Sequence, residues 1–207
     1  MAQAQAPRVA AAIVAGGRAR RFDGAVKPLL VVEGRRIIDR QLEVLSPLFG
    51  RVVIVANDPT PFAGLGLPVI PDRVGPGRGP LAGIDAALGW LPAETDAVVC
   101  VAGDMPFLAL AILRALRDAP AAPAVVPRPG GSLEPLCARY DRALAPAIAA
   151  ALAAGELAVH ALLSRPGVAF LEDDELRALE PNLRSFTNIN AATDLNSRDT
   201  WSGKSGS

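Results

Sequence analysis

Short apolar runs alternate with longer stretches of helical spacing along the first half of this chain. Val9 to Val14 is continuously apolar and stops at Ala15-Gly16-Gly17. A run without polar alternation is what a strand buried on both faces requires. Arg51 to Ala56 (RVVIVA) and Ala97 to Ala102 (AVVCVA) repeat the pattern, and Leu67 to Ile70 is a shorter version. A further short strand is expected at Leu29 to Val32, ahead of a Glu33-Gly34 turn. Ile37, Ile38, Gln41, Leu42 and Leu45 recur at helical spacing, which predicts a helix over Ile37 to Leu48. Pro80 to Leu91 (PLAGIDAALGWL) is a second predicted helix, with proline in the first turn, where a missing N–H costs least.

The second half is less regular. Helices are expected at Leu108 to Asp118 and Ala143 to Ala154, and strands at Ala124 to Pro127, Pro135 to Tyr140 and Val168 to Leu171. The loop RPGGSLE joins the first two strands, and the acidic run EDDE, expected to be a solvated face, follows the last. Strands alternating with helices predict an α/β fold in three α-β-α layers around a mostly parallel sheet. The expected organisation is an N-terminal extension (1–8), one domain (9–196) and a tail (197–207) without periodicity.

Composition narrows the class. A chain of 207 residues, 51% hydrophobic, suits one sizeable core. Lys and Arg together number 21, as do Asp and Glu, so the net charge of zero does not suggest nucleic-acid binding. Any bound anion must be met locally. The two cysteines, Cys100 and Cys137, and the single His160 have no zinc-site spacing. Both cysteines lie in apolar strand-like runs and are expected to be buried free thiols, as fits a reducing compartment. The first apolar run lacks a basic lead and is too short to be a signal or a membrane span. The expectation is therefore a cytoplasmic protein with no membrane partner.

Open parallel sheets bind ligands at the carboxyl ends of their strands. Four expected strands end in residues suited to this: Ala15-Gly16-Gly17-Arg18, Asn57-Asp58, Pro71-Asp72 and Gly103-Asp104-Met105-Pro106. Past the first strand, Arg18, Arg20, Arg21 and Lys27 concentrate positive charge. One reading is a turn and a solvated basic segment. The other is a phosphate cradle, with glycine N–H groups forming an anion nest and Arg18 and Lys27 adding charge. Neither a Walker loop nor a dinucleotide fingerprint occurs.

Asp104 has two readings as well: a cap for the following helix, or a Mg²⁺ ligand beside substrate phosphates. Gly79, Pro80, Leu81 and Gly83 open a helix whose free N–H groups could meet a base or phosphate. The alternative is a tight helix entry. Asn57 and Asp72 suit turns, and equally ribose hydroxyls or the donor edge of guanine. Asn188 and Asn190, at period two, would share one face of a strand or else serve a turn and helix cap. His160 is read as a helix residue without a catalytic role.

Taken together, VAGGRARRF…KPLL, Asn57, PDRVGPGRGPLAGI, VAGDMPFL, EPLCARY and RSFTNIN resemble, in this order, the molybdenum cofactor guanylyltransferases. The resemblance spans roughly residues 9 to 196. It implies a Rossmann-like nucleotidyltransferase of the glycosyltransferase-A type. It also implies transfer of GMP from GTP to the terminal phosphate of molybdopterin or molybdenum cofactor, with release of pyrophosphate. By this resemblance Val14, Ala15, Gly16 and Gly17 would line the nucleotide and Lys27 its phosphates. Asn57 and Asp72 would hold base or ribose, and Gly79 to Gly83 would form the base-binding turn. Asp104 would hold Mg²⁺, with Asn188 and Asn190 near the metal and pterin. The upstream cofactor-insertion protein and molybdoenzyme chaperones are candidate protein partners. Two departures stand out: Val14 replaces the family's usual leucine, and no acidic residue directly precedes Lys27. Ala15-Gly16-Gly17 and Gly-Pro-Leu-Ala-Gly favour GTP over the CTP of a sister branch. A sugar-1-phosphate nucleotidylyltransferase and a non-catalytic nucleotide-binding module are the rival readings.

Overall fold

The computed structural model describes residues 8–15, 26–75 and 78–189. Its centre is a seven-stranded sheet built from β1 (Val9–Val14), β4 (Val52–Val55), β5 (Val69–Ile70), β6 (Ala97–Ala102), β7 (Ala124–Arg128), β8 (Cys137–Asp141) and β9 (Ala169–Glu172). The strand order is β5-β4-β1-β6-β8-β7-β9. β1 pairs in parallel with β4 and β6, and β4 with β5. Only β8 is reversed: it runs antiparallel to both β6 and β7, while β9 is again parallel to β7. The sheet is therefore mostly parallel, as the alternation of strands and helices predicts.

Alternate residues of each strand feed opposite layers, as a pleated strand dictates. Ala10, Ala12, Val14, Val53, Val55, Val98 and Cys100 pack against α2 (Gly79–Trp90), α4 (Ala145–Ala153) and α5 (Val159–Leu163). Ala11, Ile13, Val52, Ile54, Val99 and Val101 pack against α1 (Ile37–Leu48), α3 (Leu110–Asp118) and α6 (Asp173–Leu179). This is why the central strands carry no polar residue on either face. Both cysteines are buried and unpaired, as expected. Arg139 in β8 is buried, yet it donates to the carbonyls of Leu116, Arg117, Ala119 and Pro120. Leu116, Arg117 and Ala119 carry orphan acceptors at the C-terminal end of α3 and Pro120 follows it, so the guanidinium closes that helix end from the sheet.

Two local expectations are corrected. Leu29 to Val32 is not a strand of the main sheet. Lys27–Leu29 is a 3₁₀ turn, because Pro28 offers no N–H to a ladder and the Leu30 N–H is taken by the Lys27 carbonyl at 3.0 Å. Within that stretch only β2 (Val31–Val32) is paired as a strand. It pairs antiparallel with β3 (Arg35–Arg36) in a separate hairpin, across the expected Glu33-Gly34 turn. β8 starts at Cys137 rather than Pro135, since Pro135 and Leu136 form a turn closed by Cys137 N–H donating to Glu134 O at 3.2 Å. The acidic run is a largely exposed face, as expected, and it forms the first turn of α6. There Glu172 and Glu175 make a capping box, and the charges suit a helix N-terminus. His160 lies on α5.

Candidate active site

The register brings the strand ends into one row. Val14 stands opposite both Val55 and Ala102, and Val55 opposite Ile70. Ala15, Ala56, Pro71 and Gly103 therefore start four adjacent loops at the carboxyl edge of the sheet. The parallel arrangement that gives this edge its meaning as a ligand site is present.

Asp104 leaves the end of β6 in a turn closed by Met105 N–H donating to Ala102 O at 3.3 Å. Gly103 N–H donates to Val14 O at 3.0 Å, tying that turn to β1. A Cβ at Gly103 would lie 2.7 Å from Pro28 Cγ and 3.3 Å from Ala15 Cα. Glycine thus lets the end of β6, the end of β1 and the Lys27 turn converge. The result is an ion pair: Lys27 Nζ donates to Asp104 Oδ2 at 2.9 Å, with both side chains about one-fifth exposed. The helix-cap reading of Asp104 does not hold. α3 starts at Leu110, and Ser185 Oγ accepts from the Ala109 N–H at 2.8 Å in its place.

The C-terminal segment also meets this turn, because Ile189 N–H donates to Asp104 O at 2.9 Å. Beside it, Asn188 Oδ1 is buried without a hydrogen-bond partner. On the other flank, β8 brings Leu136 O to within 2.7 Å of the Ala102 N–H, so the Glu134–Cys137 turn abuts the Asp104 turn. Burial, and then the charge of Asp104, push the Glu134 carboxyl up to about 6.

Asn57 and Asp72 are brought together at the ends of β4 and β5. Asn57 Nδ2 donates to Asp72 Oδ2 at 3.0 Å, and the Asp72 N–H donates to Asn57 Oδ1 at 3.0 Å. Gly79 opens α2 with φ +71, a conformation that favours glycine. Gly79 and Pro80 are exposed, whereas Leu81 is buried in the core and offers only its backbone to a ligand. Gly83 packs α2 onto the strand end, since a Cβ there would lie 2.5 Å from Val14 Cγ1. Gly16, Gly17 and Arg18 of the first loop, with Arg20 and Arg21, and Asn190 near the end lie outside the described residues.

Sequence reasoning missed three supports of this edge. Gln41 reaches from α1 to the Asp104 turn, donating through Nε2 to Ala102 O at 2.7 Å and Met105 O at 3.0 Å. A glutamine on an otherwise apolar stripe was the available signal. Arg73, one residue past Asp72, lies 3.7 Å from the buried Asp85 of α2, whose carboxyl burial pushes up against the pull of Arg73. A side chain at Gly89 would block that reach, with its Cβ 2.7 Å from Arg73 Nη1. Glu134 is the third, and its position depends on the reversed direction of β8.

Cations of catalytic weight need donors. Among the described residues no group of three or more His, Cys, Asp or Glu side chains could hold a metal ion. Asp104, alone or with Glu134, offers the one or two carboxylates that a divalent cation shared with substrate phosphates would use. Among the same residues, no helix is long and apolar enough to cross a membrane.

Comparison with known proteins agrees with this geometry. Residues 11–173 match the MobA-like NTP transferase domain. The chain is 38% identical over 185 residues to a molybdenum cofactor guanylyltransferase of Cereibacter sphaeroides, covering 88% of this chain and 91% of that one. It is 34% identical over 185 residues to a molybdenum cofactor guanylyltransferase of Desulfosudis oleivorans, covering 88% and 90%. Among solved structures it resembles molybdopterin-guanine dinucleotide biosynthesis protein A of Archaeoglobus fulgidus, with TM-score 0.75, 30% identity, and 90% and 94% of the two chains covered. With sheet, strand-end site and these relatives in agreement, the chain belongs to the MobA-like NTP transferase family.

Proposed function

We propose that the protein transfers GMP from GTP to the terminal phosphate of molybdopterin, or of the metal-loaded cofactor, and releases pyrophosphate. The observation that carries this reading is the Lys27–Asp104 contact of 2.9 Å at the carboxyl edge of the sheet. It sets a phosphate-binding cation and a metal-binding carboxylate side by side, where four strands end. The choice of guanine and of the pterin acceptor rests on the relatives, which are molybdenum cofactor guanylyltransferases.

The chemistry asks little of the protein beyond placement. A phosphate monoester nucleophile has a second pKa of about 6 and is already ionised near neutral pH, so no general base is needed. The cysteines could not serve as one, because burial pushes both thiols up. Val14, Ala15 and the Gly79–Gly83 turn frame the nucleotide, and Gly16 and Gly17 are assigned to it by the resemblance to the family. Asn57 and Asp72 hold base or ribose. Lys27 and Arg18 stabilise the departing pyrophosphate. Asp104 would hold a Mg²⁺, which would offset the charge developing on the phosphates. Asn188 and Asn190 are assigned to the acceptor side by the resemblance to the family. Positioning and preorganised charge supply most of the rate in such a site. The reading carries a cytoplasmic location, which the two unpaired buried cysteines support.

Pyrophosphate release by purified protein with Mg²⁺, molybdopterin and each nucleoside triphosphate in turn tests the proposal. Release with GTP alone, dependent on the pterin, is expected. Release with CTP would move the chain to the cytidylyl branch. Release with a sugar 1-phosphate as acceptor would make it a sugar-nucleotide enzyme. Binding of GTP without release under any condition would make it a non-catalytic nucleotide-binding module.

A further inference from the structure

Gln41 is 0% exposed on a helix whose other inward residues include Ile37, Ile38 and Leu45. An apolar side chain would match its neighbours on that stripe. The amide instead leaves Oε1 buried with no hydrogen-bond partner, and an unpaired buried acceptor is destabilising. What the amide gains is specific. Its Nε2 donates to the carbonyls of Ala102 at 2.7 Å and Met105 at 3.0 Å, which flank Gly103-Asp104. Because Nε2 satisfies two carbonyls, the opposite amide orientation would set oxygen against oxygen twice.

The same helix backs the other half of the ion pair. α1 packs against the Lys27–Leu29 turn, and the Ile37 N–H donates to Leu30 O at 2.9 Å just past it. Backbone bonds tie the rest of the Asp104 turn to its neighbours, Ala102 to Leu136, Gly103 to Val14, Met105 to Ala102 and Ile189 to Asp104, and Lys27 holds the carboxylate itself. Gln41 supplies the side-chain donor that spans the turn from beneath.

We propose that Gln41 is a positioning residue: its amide clamps both carbonyls flanking Gly103-Asp104 and so fixes the Asp104 carboxylate at its contact with Lys27. It touches neither substrate nor metal. The clamp itself does not depend on the proposed guanylyl transfer, but its effect on rate rests on that reading.

The test uses the full chain with Gln41→Met, which keeps length and removes both donors, and Gln41→Glu. Amide hydrogen exchange is measured without substrate. In Gln41→Met the Gly103 and Met105 amides should exchange about tenfold faster or more, while the central amides of β1 and β4 keep their protection. In the pyrophosphate assay kcat should fall about 100-fold, the scale of a small misplacement, with KM for GTP within about threefold. Gln41→Glu should lose activity near pH 8 and regain part of it near about pH 6, because a buried protonated carboxyl keeps one donor. Unchanged exchange in a cooperatively melting Gln41→Met overturns the clamp. Faster exchange with intact kcat overturns the positioning role. Should Gln41→Met not fold, Gln41→Glu with the wild-type pH profile overturns the proposal. Wild-type protein that releases no pyrophosphate defeats only the functional reading, because the exchange result is obtained without substrate.

Discussion

Lys27 Nζ and Asp104 Oδ2 lie 2.9 Å apart although 77 residues separate them in the chain. Each comes from a turn at the end of the sheet, and glycine at position 103 permits the approach of the two turns. At about one-fifth exposure the pair keeps water access, so a ligand phosphate can reach both groups. The pair is mostly buried, so desolvation offsets much of its attraction and its net contribution to stability is small, and its value lies in where it stands.

Removing either member should therefore damage turnover far more than folding. Lys27→Ala and Asp104→Ala are each expected to lower kcat about 100- to 1000-fold, the usual effect of deleting one preorganised charge. Thermal melting measured alongside should move little. Near-wild-type turnover in either variant removes that residue from the chemistry.

Packing at the two glycine contacts is tight enough to read by mutation. Gly103→Ala would place a Cβ 2.7 Å from the Pro28 ring and 3.3 Å from the Ala15 backbone, neither of which is a flexible chain end. Gly83→Ala would place one 2.5 Å from Val14 Cγ1. Each should cost about 1–3 kcal/mol in urea unfolding, the range for overpacking. Gly103→Ala should also lose activity, because it pushes apart the strand end and the Lys27 turn. A fully stable, active Gly103→Ala would show that this convergence is not needed.

The reciprocal hydrogen bonds of Asn57 and Asp72 sit on the exposed edge. Asn57→Ala and Asp72→Ala should raise KM for GTP about tenfold while changing stability by under about 1 kcal/mol, as loss of exposed polar contacts does. Steady-state kinetics over a GTP series reads this directly. A fall in kcat at unchanged KM would place the pair with the reacting phosphates instead of the nucleoside.

Glu134 provides a pH signature in stability. Its carboxyl is raised from the ordinary 4.5 to about 6, chiefly by burial and then by the Asp104 charge. The folded state therefore holds this proton more tightly than the unfolded state. Stability is lost as pH rises through the window from 4.5 to about 6, and the penalty persists above it. Glu134→Gln should melt higher than wild type near neutral pH, and the difference should close below the window. An equal difference at all pH values would mean that the charge on Glu134 is not its cause.

The central sheet was legible because strands buried on both faces leave unbroken apolar runs, as at Val9–Val14 and Ala97–Ala102. Lys27 and Asp104 were legible as chemistry, but their contact was not. It depends on β1 and β6 lying side by side, an adjacency no local pattern encodes. The strand expected at Leu29 to Val32 failed because hydrophobicity was weighed over Pro28, which removes a ladder donor. Leu81 falls in the base-binding turn by position and by the family resemblance, and its buried side chain leaves only its backbone to serve there. Glu134 could be placed on a loop, but its approach to Asp104 follows from the direction of β8, which apolar patterning does not reveal. Gln41 stood in view as a polar residue on an apolar stripe, but its partners are backbone carbonyls that the sequence does not mark.

The most direct test follows the transferred group itself. Protein, Mg²⁺ and molybdopterin are incubated with GTP labelled at the α-phosphate, and the label is traced through the pterin products. The account predicts label in a pterin–guanine dinucleotide, one pyrophosphate released per dinucleotide formed, and neither in Asp104→Ala. Label that stays in GTP in the presence of molybdopterin, or that appears only as free GMP, would contradict it.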